Sequence, residues 1–275
     1  MDTETALVTG CSSGIGRATA GAFLDGGWTV YATARDVDDL AALAERDGCE
    51  TVPLDVTDPD RCAAVVDRVA EEAGGVTCLV NNAGYAQFGP AEDVPAAALH
   101  RQLAVNCYGP HRLTRLVLPQ MRASGGGTVV AISSVLGLVS APGYGAYAAS
   151  KHALEGLTDA LRPEVAQFDV DVVLLEPGPV ATRFRERGLA ELDALEHRPG
   201  YETVYRYLED RAATSSLGTV GPAAVADAAV EAATCADPDP RVRVGPVAHL
   251  GGLASHLPTR WRDAAYRLAG RVLSR

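Results

Sequence analysis

Short apolar runs recur along the chain, each followed by a stretch of helical composition. They are ALVTG (6–10), WTVYATA (28–34), TVPLDV (51–56), TCLVNNAG (77–84), GTVVAISS (127–134), DVVLLEPG (171–178) and, late, RVRVG (241–245). Valine, leucine and isoleucine are mostly consecutive in these runs rather than alternating with polar residues. That is the pattern of strands covered on both faces, and so of a parallel sheet. Strands separated by roughly a dozen residues of helix-forming sequence read as repeated βαβ units. The pattern predicts a doubly wound (Rossmann) α/β fold: a seven-stranded parallel sheet with helices on both faces. No linker, low-complexity tract or internal repeat divides residues 1–275, so a single domain is expected. The longest strand-free region opens with a polar, Arg/Glu-rich stretch. Lying after a strand C-terminus, residues 183–220 are expected to form a substrate lid.

Composition narrows the function classes. The 275 residues are 47% hydrophobic, enough for a sizeable core. No run of roughly 18 apolar residues suggests a membrane span. MDTETALVTG has no basic segment ahead of its apolar run, so no signal peptide is read and a cytoplasmic location is expected. A formal net charge of −11 argues against non-specific binding to nucleic acid or an anionic membrane. The six cysteines form no C-x-x-C pair and the histidines no H-E-x-x-H, so neither a disulfide framework nor a metal site is expected.

Three local patterns carry chemistry. TGCSSGIG places Gly10, Gly14 and Gly16 between the first strand and a helix expected to begin near Ile15. A nucleotide pyrophosphate needs close backbone approach there, and a helix N-terminus supplies free N–H groups. The second pattern is YAASK. Of 24 basic residues 23 are arginine, and the single lysine, Lys151, stands four residues after Tyr147. Chance would place a Y-x-x-x-K in this composition roughly 0.03 times. On a helix the two side chains share a face. A phenol with a pKa near 10 is a poor base at neutral pH. An ammonium one turn away is expected to draw that pKa down, and arginine is no substitute for a compact head in a tight site. Third, Ser134 ends the fifth apolar run, where a doubly wound sheet presents ligands. Its hydroxyl could hold a substrate oxygen, with Ser133 as the competing choice.

Together with LDVTD, NNAG, VNCYGP, ISSVLG and EPGPVAT, in order and at matching spacing, these motifs resemble the short-chain dehydrogenase/reductase family. The resemblance runs from Thr5 to about Gly245 and is nearest the branch grouped with 17β-hydroxysteroid and retinol dehydrogenases. It implies an oxidoreductase in which Tyr147 is the acid/base, Lys151 its pKa-lowering partner and ribose ligand, and Ser134 the substrate-oxygen holder. Asn106 would kink a helix and hold the water through which Lys151 exchanges protons. For the cofactor it implies the loop residues Gly10, Ser12, Ser13, Gly14, Ile15 and Gly16. Asp55 and Val56 would lie at the adenine, Asn82, Ala83 and Gly84 along the ribose. Pro177, Gly178, Val180 and Thr182 would hold the nicotinamide end.

After the second strand the chain reads YATARDVDDL. Ala34 stands where an NAD-dependent member carries a ribose-binding acid, and the Arg35 guanidinium suits a 2′-phosphate. NADP(H) is therefore favoured, with NAD(H) open through Asp36. Val135, Leu136, Tyr85, Phe88, Tyr144, Val180 and Phe184 are expected near the nicotinamide, which suggests a hydrophobic alcohol or carbonyl. A non-catalytic NAD(P)-binding redox sensor or scaffold is the alternative, although nothing in it requires the lone lysine. The resemblance also implies a homodimer or homotetramer, through helices near 95–122 and 147–166.

Overall fold

The computed structural model describes residues 4–214 and 218–273. Seven strands form one parallel sheet: β1 (Thr5–Val8), β2 (Thr29–Ala34), β3 (Cys49–Pro53), β4 (Cys78–Asn81), β5 (Gly127–Ile132), β6 (Val170–Pro177) and β7 (Arg241–Val244). Their order, β3-β2-β1-β4-β5-β6-β7, reverses between β1 and β4, and ligands sit at such a switch point, beyond the strand C-termini. The expected doubly wound fold is the one observed.

Successive residues of a strand point to opposite faces, so each consecutive apolar run feeds two cores. Ala6, Val8, Val80, Val130 and Val173 face α1 (Gly14–Asp25), α2 (Ala41–Ala44) and α9 (Pro222–Thr234). Leu7, Leu79, Val129 and Val172 face α3 (Pro59–Ala73), α5 (Gly109–Ser124) and α6 (Gly145–Val165). Helix α3 shows how local chemistry sets a boundary. Asp58 accepts from the N–H groups of Asp60 and Arg61, each at 3.0 Å, and Pro59 takes the first position, where no N–H is needed. Helix α4 (Ala96–Leu103) runs on into α5 through a π-helical turn at Ala104–Tyr108. Pro163 does not end α6, which continues to Val165.

The apolar runs overestimate the strands by one to three residues at their C-terminal ends. Asp55 and Val56 lie past β3, Asn82–Gly84 past β4, and Ser133 and Ser134 past β5. At these points the backbone bonds elsewhere. The Asn82 and Ala83 N–H groups, for example, both donate to Thr9 Oγ1 at 2.9 Å. Region 183–214, read as a polar lid, contains α7 (Phe184–Asp193) and α8 (Glu202–Thr214), while residues 215–217 of the expected lid lie outside the described residues. Beyond β7 come α10 (Pro246–Ser255) and α11 (Thr259–Leu273), which the strand pattern does not anticipate. Among the described residues no helix is long and apolar enough to cross a membrane.

One charged network ties the last two strands to α6. Glu176 on β6 is fully buried and accepts from Arg241 and, at 3.2 Å, from Arg243, both on β7. Arg241 also pairs with Glu155 and Asp159 of α6, each at 2.5 Å. Burial pushes the Glu155 carboxyl above its usual range, opposed by the Ser133 hydroxyl and Arg241. Removing one partner of a buried pair strands the other. Arg241→Ala, which leaves the buried Glu176 and Glu155 carboxylates without their shared guanidinium, should therefore cost about 3–5 kcal/mol in denaturant unfolding. Glu50→Ala, which breaks the exposed Arg68–Glu50 pair, should leave the midpoint nearly unchanged.

Candidate active site

The loop between β1 and α1 is shaped by what its glycines leave out. Gly10 and Gly14 adopt φ of +74° and +59°, in the left-handed region. A Cβ on Gly14 would lie 2.9 Å from Thr182 Cγ2, and one on Gly16 would overlap Gly10 O and the Asn82 amide. Asn82 Nδ2 donates to Thr9 O (2.8 Å) and Gly10 O (3.2 Å), holding the loop open. Helix α1 begins at Gly14, one residue earlier than expected. Its N-cap, Ser13, makes no side-chain capping bond, so the first-turn N–H groups remain available to an anion. The loop also brings Thr182 against Gly14, closing the distance between the two ends of the sequence motif set.

Ser134, Tyr147 and Lys151 meet beyond β5. The Ser134 hydroxyl accepts from the Leu136 N–H at 3.1 Å and lies near enough to the Tyr147 hydroxyl to oppose that phenol's upward shift. Ser133 points the other way, into the Glu155 side of α6. Tyr147 and Lys151 are both buried, and Lys151 Nζ lies 5.8 Å from the Tyr147 ring centroid. The ammonium donates to Ile132 O at 2.7 Å.

The titration behaviour corrects one expectation. Burial pushes the Tyr147 phenol up to about 12, opposed by the Ser134 hydrogen bond. Burial also brings Lys151 down to about 8, opposed by the negative charge of Glu155 and by the Cys107 thiolate form. Desolvation, which disfavours each charged form, is the largest cause of both shifts, and the Lys151 charge is not among the causes acting on Tyr147. At neutral pH Tyr147 is a neutral phenol ready to give a proton, and Lys151 is largely charged.

Asn106 occupies the π-helical turn, where its side chain is committed. Its Oδ1 accepts from the Tyr85 N–H (3.2 Å), and its Nδ2 donates to Tyr85 O (3.0 Å) and Ser150 Oγ (3.1 Å). It pins the turn after β4 to α6.

Residues expected at the nucleotide line the same edge of the sheet. Gly178 and Val180 follow β6 and lean on the C-terminal part of the chain. The Gly178 N–H donates to Val244 O at 3.0 Å, and Val180 bridges to Val220. Asp55 accepts from Thr57 N (2.9 Å) and Oγ1 (2.7 Å), which shapes its turn, and Val56 is buried under α5. Beyond β2, Arg35 is exposed, whereas Asp36 Oδ1 accepts from the Asp38 N–H at 3.0 Å and caps the turn that follows. Sequence reasoning missed Arg17, on α1. Its guanidinium bonds Ser12 O and, at 2.8 Å, Asp39 O, joining the glycine loop to the segment after β2. No motif marks it; only the fold brings 12, 17 and 39 together.

An apolar cluster separate from both sheet cores covers Tyr147. Phe88, Leu136, Tyr144 and Phe184 join it, with Leu192, Tyr205 and Leu208 from α7 and α8. The Phe184 ring meets Tyr147 edge-on at 5.5 Å, and Phe88 meets Tyr144 at 5.0 Å. Three expected wall residues go elsewhere. Val180 packs on the sheet core, Val135 against Gly251 of α10, and Tyr85 accepts from Arg101 Nε at 3.1 Å. The polar sequence of 183–214 hides this inner apolar face. Its polar groups instead strap the helices down: Tyr205 donates to buried Asp93 and Tyr201 to Glu92, each at 2.6 Å, and Arg198 pairs with Glu92 at 3.0 Å.

The comparisons with known proteins agree with this geometry. A family model described as short chain dehydrogenase matches residues 4–192. The uncharacterized oxidoreductase YbbO of Escherichia coli is 42% identical over 66% of this chain and 68% of its own length. Human 17-beta-hydroxysteroid dehydrogenase type 1 is 37% identical over 76% of this chain and 66% of its own, in line with the expected branch. Among solved structures, a short-chain dehydrogenase from Streptomyces avermitilis superposes with a TM-score of 0.83 at 35% identity, over 98% of both chains.

Proposed function

Because the chain belongs to the short-chain dehydrogenase family, whose members are NAD(P)-dependent oxidoreductases acting on CH–OH groups, we propose that it interconverts an apolar alcohol and its ketone or aldehyde with NADP(H), Tyr147 moving the proton. The observation that carries this reading is the Ser134–Tyr147 hydroxyl pair, buried under an apolar cluster and one helical turn from a buried lysine.

The residues present fit a dinucleotide. The glycine loop leaves a cradle that side chains would fill, and the uncapped first turn of α1 faces it. Gly10–Gly16 would take the pyrophosphate, Asp55 and Val56 the adenine, Asn82–Gly84 the adenosine ribose, and Lys151 with Tyr147 the ribose nearest the reaction. Pro177, Gly178, Val180 and Thr182 would hold the nicotinamide. Two features favour a 2′-phosphate: Arg35 is exposed at the end of β2, and Asp36 is already engaged in its own turn. NAD(H) is the second choice.

When bound, the nicotinamide exchanges a hydride with the substrate carbon. Ser134 then holds the substrate oxygen beside Tyr147. The neutral phenol suits carbonyl reduction, in which Tyr147 Oη gives its proton to that oxygen as negative charge develops. In oxidation the same group must first lose its proton. Lys151 supplies positive charge beneath the phenol, and α7 and α8 act as the lid that keeps water out. Exposed Leu99, Tyr108 and Leu157 on α4–α6 are the apolar surface for a homo-oligomer.

Titration with NADPH and with NADH, followed by nicotinamide fluorescence, tests the reading at its base. A folded protein that binds neither overturns it. Tyr147→Phe should keep NADPH affinity within a few-fold while turnover falls by about 10³ or more; alcohol oxidation by the native protein should rise about tenfold per unit between pH 6 and 8, with reduction nearly flat. Wild-type turnover in Tyr147→Phe would remove the residue from the mechanism. Lys151→Arg keeps the charge but offers five donors where Ile132 O is the bonded acceptor, so activity should fall at least about a hundredfold. Arg35→Asp should move the NADP(H)/NAD(H) ratio of kcat/KM toward NAD(H) by about tenfold or more, and an unchanged ratio would clear Arg35 of phosphate reading.

A further inference from the structure

Net charge conceals a segregation in this chain. Residues 246–275 carry five arginines, at 260, 262, 267, 271 and 275, against one acid, Asp263, although the whole chain has a formal net charge of −11. The same stretch holds the most exposed large apolar side chains among the described residues: Leu253 (69%), Trp261 (68%), Leu250 (65%) and Leu268 (63%), with Leu257 at 44%.

Their spacing is helical. On α10 and the link after it, Leu250, Leu253 and Leu257 fall at i, i+3 and i+7. On α11, Trp261, Ala264, Ala265 and Leu268 fall at i, i+3, i+4 and i+7, and all four are exposed. At about 100° per residue, Arg260 and Arg267 border one side of this stripe and Arg262 the other, with Asp263 on the opposite face. An apolar stripe with tryptophan, edged by arginine, matches a helix lying in the headgroup layer of a bilayer. It does not match a packing face, which would be buried. The stripe is exposed even though α11 packs on α8 and α10 packs on Val135 and Val139.

We propose that α10 and α11 dock the protein reversibly on an anionic phospholipid surface, with Leu250, Leu253, Leu257, Trp261 and Leu268 entering the interface and the exposed Arg260 and Arg267 meeting the lipid charge. Charge complementarity selects this occupant. Neutral apolar contact alone would not require the exposed arginines 260 and 267 beside the stripe, and the surface offered to a second copy lies elsewhere, at Leu99, Tyr108 and Leu157. The average acidity of the chain argues against such binding only if the charges are mixed, and here they are not. The position also suits an apolar substrate. Gly178 beside the expected nicotinamide site touches Val247 and Ala248 of α10, and α8 beneath α11 belongs to the lid, so the docked face lies directly behind the site.

The test uses the full chain and large unilamellar vesicles, of phosphatidylcholine alone or with roughly one-quarter phosphatidylglycerol. Trp28 packs edge-on against Phe23, so a Trp28→Phe background leaves Trp261 as the sole tryptophan reporter. Cosedimentation with the anionic vesicles should be at least about tenfold stronger than with the neutral ones, should weaken about tenfold between about 50 and 500 mM salt, and should shift Trp261 emission to the blue. Leu253→Glu/Trp261→Glu should abolish it with the far-UV circular dichroism unchanged. Arg260→Glu/Arg267→Glu, confined to exposed side chains, tests the charge if the first variant misfolds. The proposal is overturned if the native chain does not sediment with anionic vesicles at low salt. Binding by either folded variant at the native level overturns it too. So does absence of vesicle binding alongside a concentration-dependent increase in solution mass that Leu253→Glu removes, since the face would then cover another copy. Vesicle binding is read without turnover, so failure of the proposed chemistry would leave this result standing.

Discussion

A buried ammonium must have an acceptor, and for Lys151 that acceptor is the carbonyl of Ile132. Much of the site follows from this bond. Ile132 is the last residue of β5 and is held in register with Leu175 of β6, so its carbonyl is a fixed point of the sheet. The bond sets α6 at one distance from that point, and Tyr147, one turn earlier, is thereby placed against Ser134, two residues beyond Ile132. A second tie, from Asn106 to Ser150, fixes the same turn of the helix. Lysine reaches this position because its charge is compact and its stem apolar. A guanidinium would bring donors the pocket does not meet.

The same burial reverses a piece of simple reasoning from spacing. A tyrosine and a lysine four positions apart on one helix face do come together. Spacing does not report how much water surrounds the pair, and desolvation dominates both titrations here. What was legible in the sequence was what depends on local order: consecutive Val/Leu/Ile runs for strands with two covered faces, the glycine offsets, and Ser134 at the end of a strand. What was not legible depends on contacts distant in sequence. Arg17 acts on Ser12 and Asp39 through the fold, and the partners of Glu176 stand 65 and 67 residues away. The inner apolar face of 183–214 is masked by the charged residues that fasten its rim. Helices α10 and α11 carry no strand or motif signal, and so passed unremarked.

The C-terminal strand contributes more than a seventh rung to the sheet. Through Arg241 and Arg243 it neutralises Glu176, which immediately precedes the Pro177–Gly178 loop, and through Val244 it bonds the Gly178 backbone. Residues that would hold the nicotinamide are thus braced by a segment more than 60 residues further along the chain. The part of the molecule least visible to motif reading sits directly behind the part most visible to it.

The solitary lysine has a consequence for handling the molecule. The chain has one side-chain amine, and it is buried. Reagents that acylate or cross-link amines find no lysine on its surface, so a sample treated with them keeps its assembly state unrecorded and its site untouched. Acylation at Lys151 would require its Nζ to leave the Ile132 carbonyl. The extent of that labelling over time would therefore count the breaking of that one bond, free of any background from other lysines.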